Sequence, residues 1–217
     1  MYSHLFFDLD GTLTDPREGI TRSVAYALEA FGIREEPDRL IPFIGPPLHE
    51  SFMQFYGFSR EQAMEAVDKY REYFAETGIW ENALYPGVPE LLAALKRQGR
   101  TIALATSKPE VFARQILKHF QIDGYFDCIR GSFLDGTRTH KAEVIESALQ
   151  ELRGNGPVPL HECLMIGDRL HDIEGARCVG MDSAGLSFGY GGEEELREAG
   201  ATWIAADFDE LQSIITG

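Results

Sequence analysis

Short apolar runs alternate along the chain with longer stretches whose apolar residues recur every three or four positions. "HLFFDL", from His4 on, is a compact apolar run and predicts a buried strand. From about Arg17 to Thr77 the period becomes helical. Ile20, Val24, Ala27, Leu28 and Phe31 share one helix face, and Ala63, Val67, Tyr70 and Phe74 share another. Ser59 and Gln62 have capping-box spacing for the second of these helices. Between the two lies "IPFIGPPLHESF", which predicts a Pro/Gly-rich loop at Gly45-Pro46-Pro47.

Beyond this block the pattern is β then α. "YPGVPELLAALKRQG" predicts a helix with Pro near its start and Gly past its end. "TIALAT" is a strand, and "SKPEVFARQILKHF" a helix with Ser107 as N-cap. "YFDCIRG" is a short strand, "HKAEVIESALQEL" a helix, "ECLMIGD" a strand and "DIEGARCVG" a helix. "MDSAGLS" and "TWIAA" are the last strands, before a final helix. Strands alternating with helices predict an α/β fold with a doubly wound parallel sheet. The helical block interrupts that alternation after the first strand. The expected organisation is an α/β core of residues 1–14 and 83–217, with a helical cap inserted at 15–82.

Composition narrows the function classes. A chain of 217 residues, 44% apolar and 25% charged, has the balance of a globular protein. Its net charge of −15 argues against nucleic acid and anionic membranes as partners, since both are bound by basic surface. A small anionic substrate stays open, because a metal or lysine can reverse the field inside a site. The three cysteines, Cys128, Cys163 and Cys178, form no CxxC pair and predict free thiols in a reducing cytoplasm. The first residues lack the basic and apolar regions of a signal peptide, and no apolar run approaches the ~20 residues of a membrane helix. A monomer or weak homodimer is expected.

In open α/β sheets, ligands sit at the carboxyl ends of the strands. There the sequence places Asp8, Asp10, Gly11 and Thr12 after the first strand, and Thr106 and Ser107 after "TIALAT". It places Lys141 at the start of the helix after "YFDCIRG", and Gly167, Asp168 and Asp172 after "ECLMIGD". Paired like charges at a strand end repel one another and cost desolvation, so a fold does not need them there.

"DLDGT", "ALATS", the Lys of "HKAEVI" and "GDRLHD", in that order, resemble the four motifs of the haloacid dehalogenase superfamily. The insert resembles its helical cap of the first type. "IGPPLHESF" and "GYGGEEELREAGAT" are similar to the phosphoglycolate phosphatase branch, which also holds nucleotidases and sugar-phosphate phosphatases. The resemblance implies a Mg²⁺-dependent phosphatase of small phosphorylated metabolites, with Asp8 as nucleophile and an aspartyl phosphate as intermediate. It implies Asp8, the Asp10 carbonyl and Asp168 as metal ligands, with Asp172 holding a metal-bound water. Lys141 and Thr106 would stabilise phosphoryl oxygens, and Asp10 would act as general acid and base. Gly11 would let the Leu9 and Asp10 amides face the phosphoryl group, beside Thr12 and Ser107. Gly45 marks the cap loop expected to touch substrate. An Asp two residues after the nucleophile favours phosphoryl transfer over dehalogenation, because an alkoxide needs a proton to leave and a halide does not. The alternatives are a 5′-nucleotidase or sugar-phosphate phosphatase, a phosphoglucomutase-like isomerase, and a non-catalytic phosphate-binding scaffold.

Other residues have plainer readings. Lys108 could bind phosphate, but a lysine at a helix start is more often at the surface. His140 and His171 fit no zinc spacing and read as bystanders. "GEEELREA" reads as a solvated helix face. Cys163 and Cys178 read as buried packing residues.

Overall fold

The structure, a computed structural model, describes residues 1–217. The chain divides into two compact units, residues 1–14 with 84–217, and residues 15–83.

The larger unit is built on six parallel strands. β1 (His4–Phe7) is central, flanked by β4 (Thr101–Pro109) and β6 (Cys163–Gly167). β5 (Cys128–Ser132) lies outside β4, and β7 (Asp182–Leu186) and β8 (Trp203–Ala205) lie outside β6. The chain steps outward on one side of β1, then returns to the other side at β6. That makes β1 and β6 the switch point at which open sheets leave a crevice. Phe7 pairs with Leu104 on one side and Ile166 on the other, so the next residues of all three strands emerge at one level. Strands of a parallel sheet are covered on both faces and need continuous apolar sequence. Accordingly all five residues of β6 are buried.

Helices α4 (Val88–Arg97), α5 (Glu110–His119), α6 (Lys141–Arg153), α7 (Leu170–Val179), α8 (Gly192–Glu198) and α9 (Phe208–Thr216) complete this unit. α6 buries Val144, Ile145, Ala148 and Leu149 against Phe6, Ala103 and Met165. Each large side chain in that layer contributes roughly 1.5–3 kcal/mol by leaving water. α4 follows its sequence signals: Pro at its start, and Gly99 past its end at φ +74°.

The other unit holds α1 (Arg17–Glu29), α2 (Leu48–Tyr56) and α3 (Arg60–Tyr73). The Gln62 N–H donates to Ser59 Oγ at 3.2 Å and the Ser59 N–H to Gln62 Oε1 at 3.0 Å, which is the capping box read from the sequence. Phe43 packs edge-on to Phe52 at 5.0 Å, and Phe52 stacks on Phe58 at 5.9 Å. Short strands β2 (Thr14–Asp15) and β3 (Ala83–Leu84) pair as a ribbon where the chain passes from one unit to the other and back.

The loop expected at Gly45-Pro46-Pro47 is present, and α2 starts directly after it at Leu48. Two local readings are corrected. Ser107 is not an N-cap: β4 runs on to Pro109, α5 starts at Glu110, and the Ser107 carbonyl accepts from Ser132 Oγ at 2.7 Å. Cys178 is exposed, whereas Cys128 and Cys163 are buried; all three are free. No helix is long and apolar enough to cross a membrane.

Candidate active site

Asp8 is the first residue after β1, and its N–H donates to the Ile166 carbonyl at 2.9 Å. Asp168 is the first residue after β6. Sheet register sets Asp8 level with Gly167, and Asp168 leaves β6 one residue further on, at the same end of the sheet. Asp172 comes from the first turn of α7 and reaches back to the Arg169 N–H at 3.1 Å, so it also caps the helix. One oxygen from each of Asp8, Asp168 and Asp172 can be chosen so that all three lie within 4.8 Å of one another. All three residues are buried.

Lys141, the first residue of α6, supplies the opposing charge. Its Nζ lies 2.9 Å from Asp8 Oδ1 and 2.7 Å from Asp172 Oδ1, and it donates to the Ala105 carbonyl at 3.0 Å. Neither carboxylate oxygen has an aligned hydrogen-bond donor, although both are buried within ion-pair reach of the ammonium. Gly175 lets α7 approach this side chain: a Cβ there would lie 2.7 Å from Lys141 Cγ.

Asp10 stands apart. Its carboxylate is not among the three gathered oxygens and pairs with Lys108 Nζ at 2.5 Å. Lys108 is thus a buried partner of Asp10, not a solvated residue at a helix start. Thr106 is buried, and its Oγ1 accepts the Lys108 N–H at 3.2 Å. The turn between them and β1 is tight: Gly11 has φ +84°, and its N–H donates to the Thr14 carbonyl at 2.7 Å. The Leu9 carbonyl accepts from Leu13 at 2.9 Å within this turn. Thr12 donates its hydroxyl to Asp168 Oδ1 at 3.0 Å. The sequence candidates Asp8, Asp10, Thr12, Thr106, Lys108, Lys141, Asp168 and Asp172 therefore form one neighbourhood. Gly45 belongs to the helical unit, at φ +105° in the turn before α2.

Burial raises the Asp168 carboxyl well above its usual range, and the charges of Asp172 and Asp8 add to this. Burial also raises Asp172, against the pull of Lys141. Burial raises Asp10 as well, against the pull of Lys108. Burial alone would draw the Lys141 ammonium down, but Asp172 and Asp8 outweigh it and hold it above its usual value. Three carboxylates against one ammonium leave a deficit of two positive charges in a buried site. A divalent cation fits that deficit, and an all-oxygen donor set suits Mg²⁺, Mn²⁺ or Ca²⁺ rather than zinc.

Sequence reasoning missed the outer support of Asp168. Asp168 Oδ2 accepts the Tyr190 N–H at 2.8 Å, and its carbonyl accepts from Gly191 at 3.2 Å. A Cβ at Gly189 would lie 2.3 Å from Asp168 Cβ. The clustered glycines of "FGYGG", following a strand, were the available signal. The acidic run after them is not wholly solvated: Glu195 turns inward and pairs with Arg169 at 2.8 Å.

An open parallel sheet with carboxylates and an ammonium gathered at its switch point defines an α/β protein with a candidate divalent-cation site. Comparison with known proteins then gives the family. The chain belongs to the haloacid dehalogenase-like hydrolases, whose family model matches residues 5–186. It is 53% identical over 216 residues to a 5′-nucleotidase of Pseudomonas aeruginosa, covering 99% of this chain and 96% of that protein. It is 39% identical to the tyrosine-protein kinase PtkA of Mycobacterium tuberculosis, covering 97% of this chain and 72% of that one. It is 30% identical to a phosphoglycolate phosphatase of Mannheimia succiniciproducens, covering 96% of each. A predicted phosphatase from Clostridium acetobutylicum shares its fold with a TM-score of 0.95 and 46% identity, over 100% of this chain and 99% of that one. The chain is accordingly a phosphatase of this family.

Proposed function

We propose that the chain is a Mg²⁺-dependent 5′-nucleotidase, hydrolysing nucleoside monophosphates through an aspartyl phosphate on Asp8. The observation that carries the mechanism is the division of labour between the front carboxylates. Asp8 lies in the group that can share a cation, while Asp10 is held outside it by Lys108. One carboxylate is thus placed to attack and the other to carry a proton. Substrate class rests on the relative at 53% identity, which shifts the balance from phosphoglycolate to nucleotides.

Asp8, Asp168 and the carbonyl of Asp10 would hold the cation, with Asp172 beside them; it would supply charge neutralisation for attack by an anion on an anion. Asp8 attacks phosphorus and the leaving oxygen departs with the proton of Asp10. Burial raises the Asp10 carboxyl, the direction this step needs, while the Lys108 ammonium pulls the other way. Lys141 and Thr106 would donate to the phosphoryl oxygens. Asp10, now a carboxylate, takes a proton from the water that attacks phosphorus of the aspartyl phosphate; the bond from phosphorus to Asp8 breaks, inorganic phosphate leaves, and both carboxylates return to their starting state.

The test is turnover on nucleoside 5′-monophosphates, phosphoglycolate and sugar phosphates, with and without excess chelator. Selective turnover of nucleotides that stops in chelator and returns with Mg²⁺ is expected. Acid-quenched protein should carry phosphate on Asp8, and Asp8→Asn should carry none. Preference for phosphoglycolate would overturn the substrate, and undiminished turnover in chelator would overturn the metal. The helical unit is proposed to set substrate choice. Replacing Pro46 and Leu48 by larger polar residues should then change kcat/KM unequally across that panel.

A further inference from the structure

Asp168 follows the last residue of β6, where the ladder no longer fixes its backbone. Its side chain is nonetheless fully buried among fixed partners. Thr12 occupies one oxygen and the Tyr190 amide the other. The segment directly after Asp168 is tied to a separate element, α8. Glu195 Oε1 accepts from Arg169 Nε at 2.8 Å and from the Leu170 N–H at 2.8 Å. These are the two residues directly after Asp168. The same helix is entered through Gly189 to Gly191, the stretch that closes on Asp168 from behind.

We propose that Glu195 is a positioning residue for Asp168, bracing the 168–170 turn so that the carboxylate is set for a divalent cation before the cation arrives. This rests on the reading of Asp8, Asp168 and Asp172 as a cation site. The physical case has two parts. A donated charge-assisted pair together with an amide bond fixes a turn more firmly than either alone. Glu195 also neutralises the Arg169 guanidinium, so the charge of the residue directly after Asp168 is balanced at a fixed place. The side chain is only a quarter exposed, so little water screens these contacts. Groups that orient a metal ligand from behind change metal affinity by about 10–100-fold when removed.

The experiment is a Mg²⁺ titration of thermal melting on the full chain without substrate, followed by turnover against Mg²⁺. Glu195→Ala should raise the half-saturating Mg²⁺ by about 10–100-fold, with kcat largely recovered once Mg²⁺ saturates. Glu195→Gln keeps an oxygen for the Leu170 amide but loses the charge facing Arg169, and should give a smaller rise. Glu194→Ala, on the exposed side of the same helix, should give none. If Glu195→Ala fails to fold, Glu195→Gln decides: a rise of about threefold or more supports the brace, and no rise overturns it. A normal wild-type response with an unshifted Glu195→Ala refutes the brace alone. A wild-type chain that ignores Mg²⁺ in both assays refutes the cation site and the brace with it.

Discussion

Lys141→Met removes the one ammonium that faces Asp8 and Asp172 and nearly preserves side-chain volume. In the wild type both contacts are short, 2.9 and 2.7 Å, and all three side chains are at most 8% exposed. Breaking a buried ion pair by deleting one partner costs about 3–5 kcal/mol, because the remaining charge stays buried and unpaired. Here two carboxylates lose their partner, so without metal the variant should fall near the top of that range. The Ala105 carbonyl also loses its donor. A second substitution, Asp172→Asn, removes one of the stranded charges. The double variant should therefore be more stable than the sum of the singles by about 1–3 kcal/mol. Urea unfolding followed by circular dichroism, in chelator, gives all four corners of this cycle. Adding Mg²⁺ should return part of the stability lost in Lys141→Met. If Lys141→Met unfolds at the wild-type urea concentration in chelator, the ammonium does not hold the two carboxylates and the electrostatic account of the site is wrong.

Three further outcomes can be checked. Gly11→Ala combines a strained φ of +84° with a Cβ 2.2 Å from Asp168 Oδ2, and should lose roughly 1–3 kcal/mol of stability and weaken Mg²⁺ binding together; a variant that melts and binds like wild type sinks the close approach. Asp10→Asn should slow single-turnover phosphorylation by alkyl phosphates about 100-fold or more, and by nitrophenyl phosphate much less, since that leaving group needs little protonation; equal slowing removes the acid role. Burial works to raise Glu110, but Arg114, Arg130 and the Gly131 amide outweigh it and hold its carboxyl below the usual 4.5. A depressed folded value means its contribution is complete above 4.5 and fades as pH falls through the folded value. Glu110→Gln should thus cost about 1 kcal/mol at neutral pH, solvent screening included, and less in acid; a cost that does not shrink in acid overturns the assignment.

The sequence by itself determined the elements and the chemistry that each strand ends in. Apolar runs such as "TIALAT" and "ECLMIG" are legible because a strand covered on both faces is made mainly of apolar residues. Asp8 and Asp168 are legible because a charge at the end of such a run has no role in packing; Lys141, which opens α6, was legible only through the ordered set of motifs. The capping box at Ser59 and Gln62 was legible for a local reason: both partners lie within one turn. Ser107 misled because a hydroxyl before a helical pattern looks the same whether the strand stops there or, as here, continues to Pro109. What only the tertiary structure decided are the pairings between residues far apart in the chain. Lys108 meets Asp10 across 98 positions, and Thr12 meets Asp168 across 156. Glu195 reads as one more acid on a polar helix until α8 is seen to turn it toward the 168–170 turn. Hydrophobic period places a residue on a face; only the packing of one element on another says which charge that face will meet.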